Sequence, residues 1–421
     1  MSKKTFTIFI LVLVALIAFF WWFLFFRTNT PAQTGTNATS TTNLFPFGTN
    51  GSPSGTTSQG GTSSTGSTTI DLSTQGSKAR LPRLRQISFV PTAGAVVYDA
   101  TTTPSSGKAT STINIRYMER STGHIYQTES QSSDVTRVSN VTLPKVHEAL
   151  WNTDGSKLLI RYTKDGSDVI RTFFAKISST SPETALEGFF LPDGIANISV
   201  QGDKIFYLSE TGASAQGILA NIDGTKKVAV FNSTFGDWGE AWSTPSIVTL
   251  FPRPSGAVTG SAYTLDTTTG KYLKVAGDTL GITAITSTDG KYLLYSGANG
   301  QNSLGTAVVD IKNESSKNIN ISTLTDKCIW SKKQKEIVYC AVPQSIPAGI
   351  YPDDWYKGKT SFNDAIWQIN VATGETTNLF TPELETGVSM DIMNPSLDQN
   401  EHVILFTNKK DMTVWRYELV L

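Results

Sequence analysis

From residue 78 to the C-terminus the chain alternates short apolar stretches, rich in β-branched and aromatic residues, with polar turns. The runs are four to eight residues long, as half-buried strands are, and no helical periodicity of more than two turns competes with them. One pattern recurs. A strand enters a turn and leaves as a second, more apolar strand. EALWNTDGSKLLIRY (148–162), ISVQGDKIFYLS (198–209), ITAITSTDGKYLLYS (282–296), CIWSKKQKEIVYC (328–340) and MDIMNPSLDQNEHVILFT (390–407) are copies. ISFVPTAGAVVYD (87–99) reads as the first copy and AWSTPSIVTLF (241–251) as the weakest. A second hairpin follows each, as in MERSTGHIYQ, NIDGTKKVAV, LDTTTGKYLKV and INVATGETTNLF.

Two hairpins make four strands. The first turns fall near Gly94, Gly155, Gly202, Pro245, Gly290, Gln334 and Asp398. Four strands every ~40–50 residues is the period of a propeller blade. The expectation is therefore an all-β, seven-bladed β-propeller of four-stranded antiparallel blades over 78–421. The last copy, MTVWRYELVL, ends at a third strand. Residues near Lys78 to Arg85 can supply the fourth, which would close the ring and leave no open edge.

The first 27 residues are different. Ile8 to Phe26 carries no charge, and Trp21 and Trp22 lie towards its end. A bilayer core of ~30 Å takes about 20 apolar residues in helical form. Lys3 and Lys4 precede the run and only Arg27 follows closely, so the positive-inside rule keeps the N-terminus in the cytoplasm. A cleaved signal peptide is the rival reading, but the run ends in Phe, Trp and Leu with no small-residue cleavage site. The sequence thus predicts a single-pass transmembrane helix over residues 8–26, with the C-terminal domain extracytoplasmic.

Residues 28–77 form a Ser/Thr/Gly-rich linker, free of charge from Thr28 to Ile70. Such a composition does not offset the entropy of ordering, and about 40 flexible residues span ~35 Å. Leu44, Phe45, Pro46 and Phe47 interrupt it, as an incidental apolar cluster or as a docking segment.

NTDGSKLLI and TSTDGKYLL resemble the Asp-Gly-Lys hairpins of TolB-like and related WD-like β-propellers. The other copies depart from the motif: Gln-Gly-Asp stands in one, Lys-Lys-Gln-Lys in another. The resemblance implies a binding platform, on an architecture that also hosts enzymes.

Composition narrows the function. Lys+Arg and Asp+Glu are both 35, so the balanced chain has no electrostatic pull towards nucleic acid. Three histidines leave little for a metal centre, and the sequence points to no cofactor. G-x-S-x-G is absent, and His147-Glu148 lacks the second histidine of a zinc protease. Asp165-Gly-Ser-Asp168 reads as a solvated turn, and His124 and His402 as structural or exposed residues.

The two cysteines are more informative. In a hairpin centred on Gln334, Cys328 faces Cys340, and facing Cα atoms ~4.5–5.5 Å apart suit a disulfide. Two buried thiols are the alternative.

The remaining signal is an insertion, QSIPAGIYPDDWYKGKTSFN, between two strands of one blade. By alternation of strand direction it emerges on the same face as TFGDWGEAW (234–242), which joins two blades. Both loops mix aromatics with carboxylates: Tyr351, Asp353, Asp354, Trp355 and Tyr356 in one, Asp237, Trp238 and Glu240 in the other. Such surfaces suit sugars, cations or partner loops; alternatively Tyr351 and Trp355 cover a blade edge. The expectation is a protein-binding or scaffold module whose partners are other envelope or surface proteins. The alternative is a propeller enzyme acting on glycans or peptides through these carboxylates.

Overall fold

The computed structural model describes residues 81–419, apart from 103–106, 108–109, 164–168, 178–185, 299 and 301–302. The chain divides into two units, Met1–Gln75 and Gly76–Leu421. The expected membrane span, the linker and the Asp165–Asp168 turn lie outside the described residues. Among the described residues no helix is long and apolar enough to cross a membrane.

The described residues form an all-β propeller. Strand β1 (Leu84–Gln86) comes first. A four-stranded sheet follows, β2 (Thr92–Thr102), β3 (Thr110–Glu119), β4 (Ile125–Glu129) and β5 (Val135–Ser139). The next is β6 (Val146–Trp151), β7 (Lys157–Thr163), β8 (Ile170–Lys176) and β9 (Glu187–Phe190). The third is β10 (Ile195–Gln201), β11 (Lys204–Thr211), β12 (Ser214–Asn221) and β13 (Val228–Ser233). A seven-stranded sheet comes next: β14 (Trp238–Thr244), β15 (Ile247–Pro252), β16 (Thr259–Asp266), β17 (Tyr272–Thr286), β18 (Tyr292–Ala298), β19 (Leu304–Asp310) and β20 (Ser315–Ile319). Then come β21 (Cys328–Trp330), β22 (Ile337–Pro343), β23 (Asp364–Asn370) and β24 (Thr376–Phe380). The last sheet holds β25 (Ile392–Leu397), β26 (Val403–Asn408), β27 (Thr413–Glu418) and the returning β1.

Two expectations change. Seven separate four-stranded sheets were expected, but five are four-stranded and one is seven-stranded. The cause is β17, a 15-residue strand. Its first half pairs with β16 and its second with β18. Asp278 and Gly281 take positive φ and bend it, but no proline or turn ends it. The second change concerns the first copy. Gly94 is not in a turn; it lies inside β2, which pairs with β3 beyond the 103–109 segment. A side chain at Gly94 would strike the Ala149 carbonyl oxygen, so the glycine permits close approach of neighbouring sheets.

The turns follow the chemistry read from sequence. Asp154 Oδ1 accepts the Ser156 N–H at 2.8 Å and Asp289 Oδ1 the Lys291 N–H at 3.1 Å. Gly155 and Gly290 supply the positive φ between them.

Closure is also as read from sequence. β1 pairs antiparallel with β27, Leu84 opposite Tyr417 and Gln86 opposite Trp415. Apolar clusters lie between successive sheets, including the last and the first, where Val403, Leu405 and Val414 meet Ile87, Val97, Ile115 and Tyr117. Within the long sheet, Phe251 and Ala262 meet Ile282, Ala284 and Leu293. Burial at ~25 cal/mol per Å² makes these contacts the main force holding the sheets together.

Cys328 and Cys340 face each other across β21 and β22 and are joined, with Cα atoms 4.0 Å apart.

Candidate functional site

Folding sorts the six candidate binding residues into two groups. The insertion after β22 builds a small core of its own, in which Tyr351, Trp355 and Phe362 pack with Leu304 and Leu324. Tyr351 is 1% exposed, stacks on Phe362, and donates its hydroxyl to the Pro347 carbonyl at 2.6 Å. Trp355 is 3% exposed and donates its indole N–H to Asp391, 3.1 Å from each oxygen. A short helix, α1 (Asp353–Tyr356), carries both aspartates in its first turn. Asp353 Oδ2 accepts the Gly256 N–H at 2.7 Å, tying the insertion to the loop after β15. Asp354 Oδ2 accepts the Ile350 N–H at 2.9 Å, and its carboxylate lies 3.3 Å from the Lys359 ammonium. That backbone bond, together with the lysine, holds Asp354 below the ordinary carboxylate range. Four of the six residues thus build the insertion.

Tyr356 and Trp238 are placed differently. Both line a cavity of about 380 Å³. Its walls come from β10, β14 and the ends of β11 and β15 on one side. Asp326, in the 3₁₀ turn before β21, and Tyr356 at the end of α1 form the other. The two loops singled out in the sequence therefore meet at one opening.

The lining is acidic. Glu210, Asp237, Glu240 and Asp326 face one cation, Arg253. Arg253 lies 3.6 Å from Asp237, and both side chains are well exposed, so the pair contributes little. Asp237 takes a positive φ, and its N–H is held by Glu210 Oε1 at 3.2 Å. Trp238 is fixed by edge-on contacts with Phe231, Phe235 and Tyr263. Its indole donates to Ser233 Oγ and the Phe235 carbonyl.

Glu240 is the unusual carboxyl. It is half-buried on β14 and opens to the cavity. Ser199 Oγ lies 2.6 Å from each of its oxygens. Burial, helped by the nearby Glu148 charge, pushes it up to about 7, against the Ser199 bond and the Arg161 guanidinium. Asp326 keeps an exposed edge, but the protein crowded around its carboxyl raises it, and the hydroxyl of Tyr356 opposes that by donating to both oxygens. A carboxyl near neutrality can hold or release a proton, and the acidic, aromatic wall suits a cationic group.

Glu210, Asp326 and Ser199 were not anticipated. Asp326 had a signal, since it precedes an inner strand just as Asp237 does. Among the described residues no group of acids, histidines and cysteines is arranged to hold a metal ion. His124, His147 and His402 contact Thr142, Thr163 and Asp398, outside this cavity.

No protein-family model matches the chain, and no curated protein matches it. Solved structures are similar to it. An oligogalacturonate lyase in complex with manganese shares 11% identity, over 79% of this chain and 99% of that one, at a TM-score of 0.47. The propeller domain of the Trilobed protease from Pyrococcus furiosus shares 12%, over 76% and 95%, at 0.46. TolB from Acinetobacter baumannii shares 12%, over 77% and 80%, at 0.41. What this chain has in common with them is the β-propeller fold.

Proposed function

We propose that this chain is a membrane-anchored, extracytoplasmic propeller that binds another envelope or surface protein. In this reading the seven-stranded sheet counts as two blades sharing β17, which makes seven in all. The uncharged run at 8–26 is the anchor, and residues 28–77 are the linker between it and the propeller. The observation that carries the binding role is the acidic cavity, where Trp238 and Glu240 on β14 meet Asp326 and Tyr356 from the connections of the β21–β24 sheet. A partner is held through a lysine- or arginine-bearing loop, whose charge meets the carboxylates and whose stem lies on the rings.

The test is crosslinking in native membranes with identification of the neighbours, repeated with Tyr356→Ala and Asp326→Asn. Loss of the same neighbour from both variants supports the reading. Unchanged capture removes the cavity from consideration.

A second reading rests on Glu240 itself. A carboxyl near 7 sharing a cavity with Asp237 and Asp326 is the pairing that glycoside or peptide hydrolysis uses. Turnover of glycans or peptides by the purified chain, abolished in Glu240→Gln, would favour it over the binding module.

A further inference from the structure

Beneath the insertion, a lysine with no exposed atom stands between two carboxylates that also have none. Lys327, Asp364 and Asp391 are each 0% exposed. Lys327 Nζ lies 2.6 Å from Asp391 Oδ1 and 2.8 Å from Asp364 Oδ2. Its third bond goes to the Ile392 carbonyl at 2.7 Å. The rings of Trp355 and Phe362 cover it, with centroids 5.0 and 5.2 Å from Nζ.

The two carboxyls are not equivalent. Asp391 accepts the Trp355 indole, the Ser361 hydroxyl and the Phe362 N–H, all at 3.1 Å. Asp364 Oδ2 accepts the Ile392 N–H at 2.6 Å, whereas its Oδ1 is buried with no hydrogen-bond partner. A buried carboxylate with one bare oxygen is costly, and it is less so when that oxygen carries a proton. Burial does push Asp364 up to about 6. On Asp391 the Lys327 charge and the donors outweigh burial and hold it below the ordinary range.

We propose that Lys327 and Asp364 condense into an intramolecular amide crosslink, with Asp391 relaying the protons. The ammonium gives a proton to Asp391, and the Nζ lone pair attacks Asp364 Cγ. Negative charge gathers on Oδ2, which the Ile392 N–H faces. Asp391 hands its proton to the departing Oδ1 hydroxyl and takes a second proton from nitrogen. The Cγ–Oδ1 bond breaks, water leaves, and the products are a neutral amide and a protonated Asp391. Charge and hydrogen both balance, and no oxidant or cofactor enters. Condensation is disfavoured in bulk water. Here the groups are held together and the site is enclosed, so proximity and exclusion of water work in its favour. The reaction also removes a buried ammonium whose desolvation is expensive. The crosslink would join the end of the 3₁₀ turn before β21 to the start of β23, one residue from the disulfide at Cys328.

The test is the intact mass of the reduced full-length protein, purified in detergent. The expected mass is lower than that of the sequence by one water. Trypsin should fail to cut after Lys327 and should release a joined pair of peptides containing Lys327 and Asp364. Lys327→Met and Asp391→Ala should each carry the full mass of their own sequence. A wild-type mass equal to that of the uncondensed sequence overturns the proposal whether or not the variants fold. So does a loss of water located at another pair of residues.

Discussion

The hydroxyl of Tyr356 donates to both carboxylate oxygens of Asp326, at 3.0 and 3.1 Å, across the wall of the acidic cavity. The tyrosine ends the insertion's helix and the aspartate precedes the first strand of the same sheet, so the bond sets where the insertion meets the opening. It also opposes the effect of the protein crowded around Asp326. In Tyr356→Phe the ring remains and the donor is lost. Asp326 should then protonate at a higher pH than in the wild type, as read by a carboxyl-carbon NMR titration. A midpoint that stays put would mean that the bond is not formed in solution.

Glu240 gives the fold a pH dependence with a definite sign. A glutamate ordinarily titrates near 4.5, and in the fold this one is raised to about 7. The folded state therefore holds the proton more tightly than the unfolded chain. Its contribution to stability is complete below pH 4.5 and is lost as pH rises through about 7. At ~1.4 kcal/mol per pH unit, the loss is at most roughly 3 kcal/mol, and less because the carboxyl keeps some contact with solvent. Glu240→Gln cannot titrate. Its melting temperature should vary less than that of the wild type between about pH 4 and about pH 8 and should exceed it at the alkaline end. Parallel melting curves would exclude Glu240 as the titrating group.

Why the sequence reveals some of this and hides the rest follows from the range of each interaction. Asp154-Gly155 and Asp289-Gly290 act within a few residues, so the turns they make are written locally. The pairing of β1 with β27 is long-range but could be inferred, because a three-stranded final copy needs a fourth strand. The continuity of β17 leaves no mark, since a bent strand and two shorter strands draw on the same residues. Within the insertion, aromatics beside carboxylates look alike whether they face outward or inward. Only the fold reveals that Tyr351 and Trp355 face inward while Tyr356 does not. Ser199 and Glu240 come from different sheets, and nothing adjacent to either announces the other.

That sorting of the insertion separates stability from binding. Trp355 fills the insertion's core and bonds Asp391, so Trp355→Ala should cost about 3–5 kcal/mol, the range for a buried large aromatic. The loss should appear in chemical denaturation. Tyr356 is 43% exposed, and Tyr356→Ala should leave stability nearly unchanged while weakening capture of a partner. Equal destabilisation by the two substitutions would contradict the division of roles.

In the turn between β25 and β26, Glu401 serves as a latch between the last two sheets. It is 0% exposed, and its Oε1 accepts the Lys332 and Lys333 N–H groups at 2.5 and 2.9 Å. Ser331 Oγ lies 2.9 and 2.8 Å from its two oxygens. Its own backbone is in the left-handed region, at φ 58°. Two effects therefore bear on this position, and three substitutions separate them. Glu401→Ala keeps the backbone strain, strands the Lys332 N–H and the Ser331 hydroxyl, and leaves the Lys333 N–H only its 3.2 Å bond to Ser331 Oγ, at a cost of about 3 kcal/mol. Glu401→Gly strands the same groups but relaxes the backbone, and should be less damaging by ~1 kcal/mol. Glu401→Gln can present its carbonyl oxygen to the two N–H groups and its amide to Ser331 Oγ, which accepts as well as donates, and should be the mildest. The order Gln, Gly, Ala in thermal or urea unfolding is the expected outcome. If Gly proved the most stable of the three, backbone strain would outweigh the latch, and the carboxylate would not be what joins these sheets.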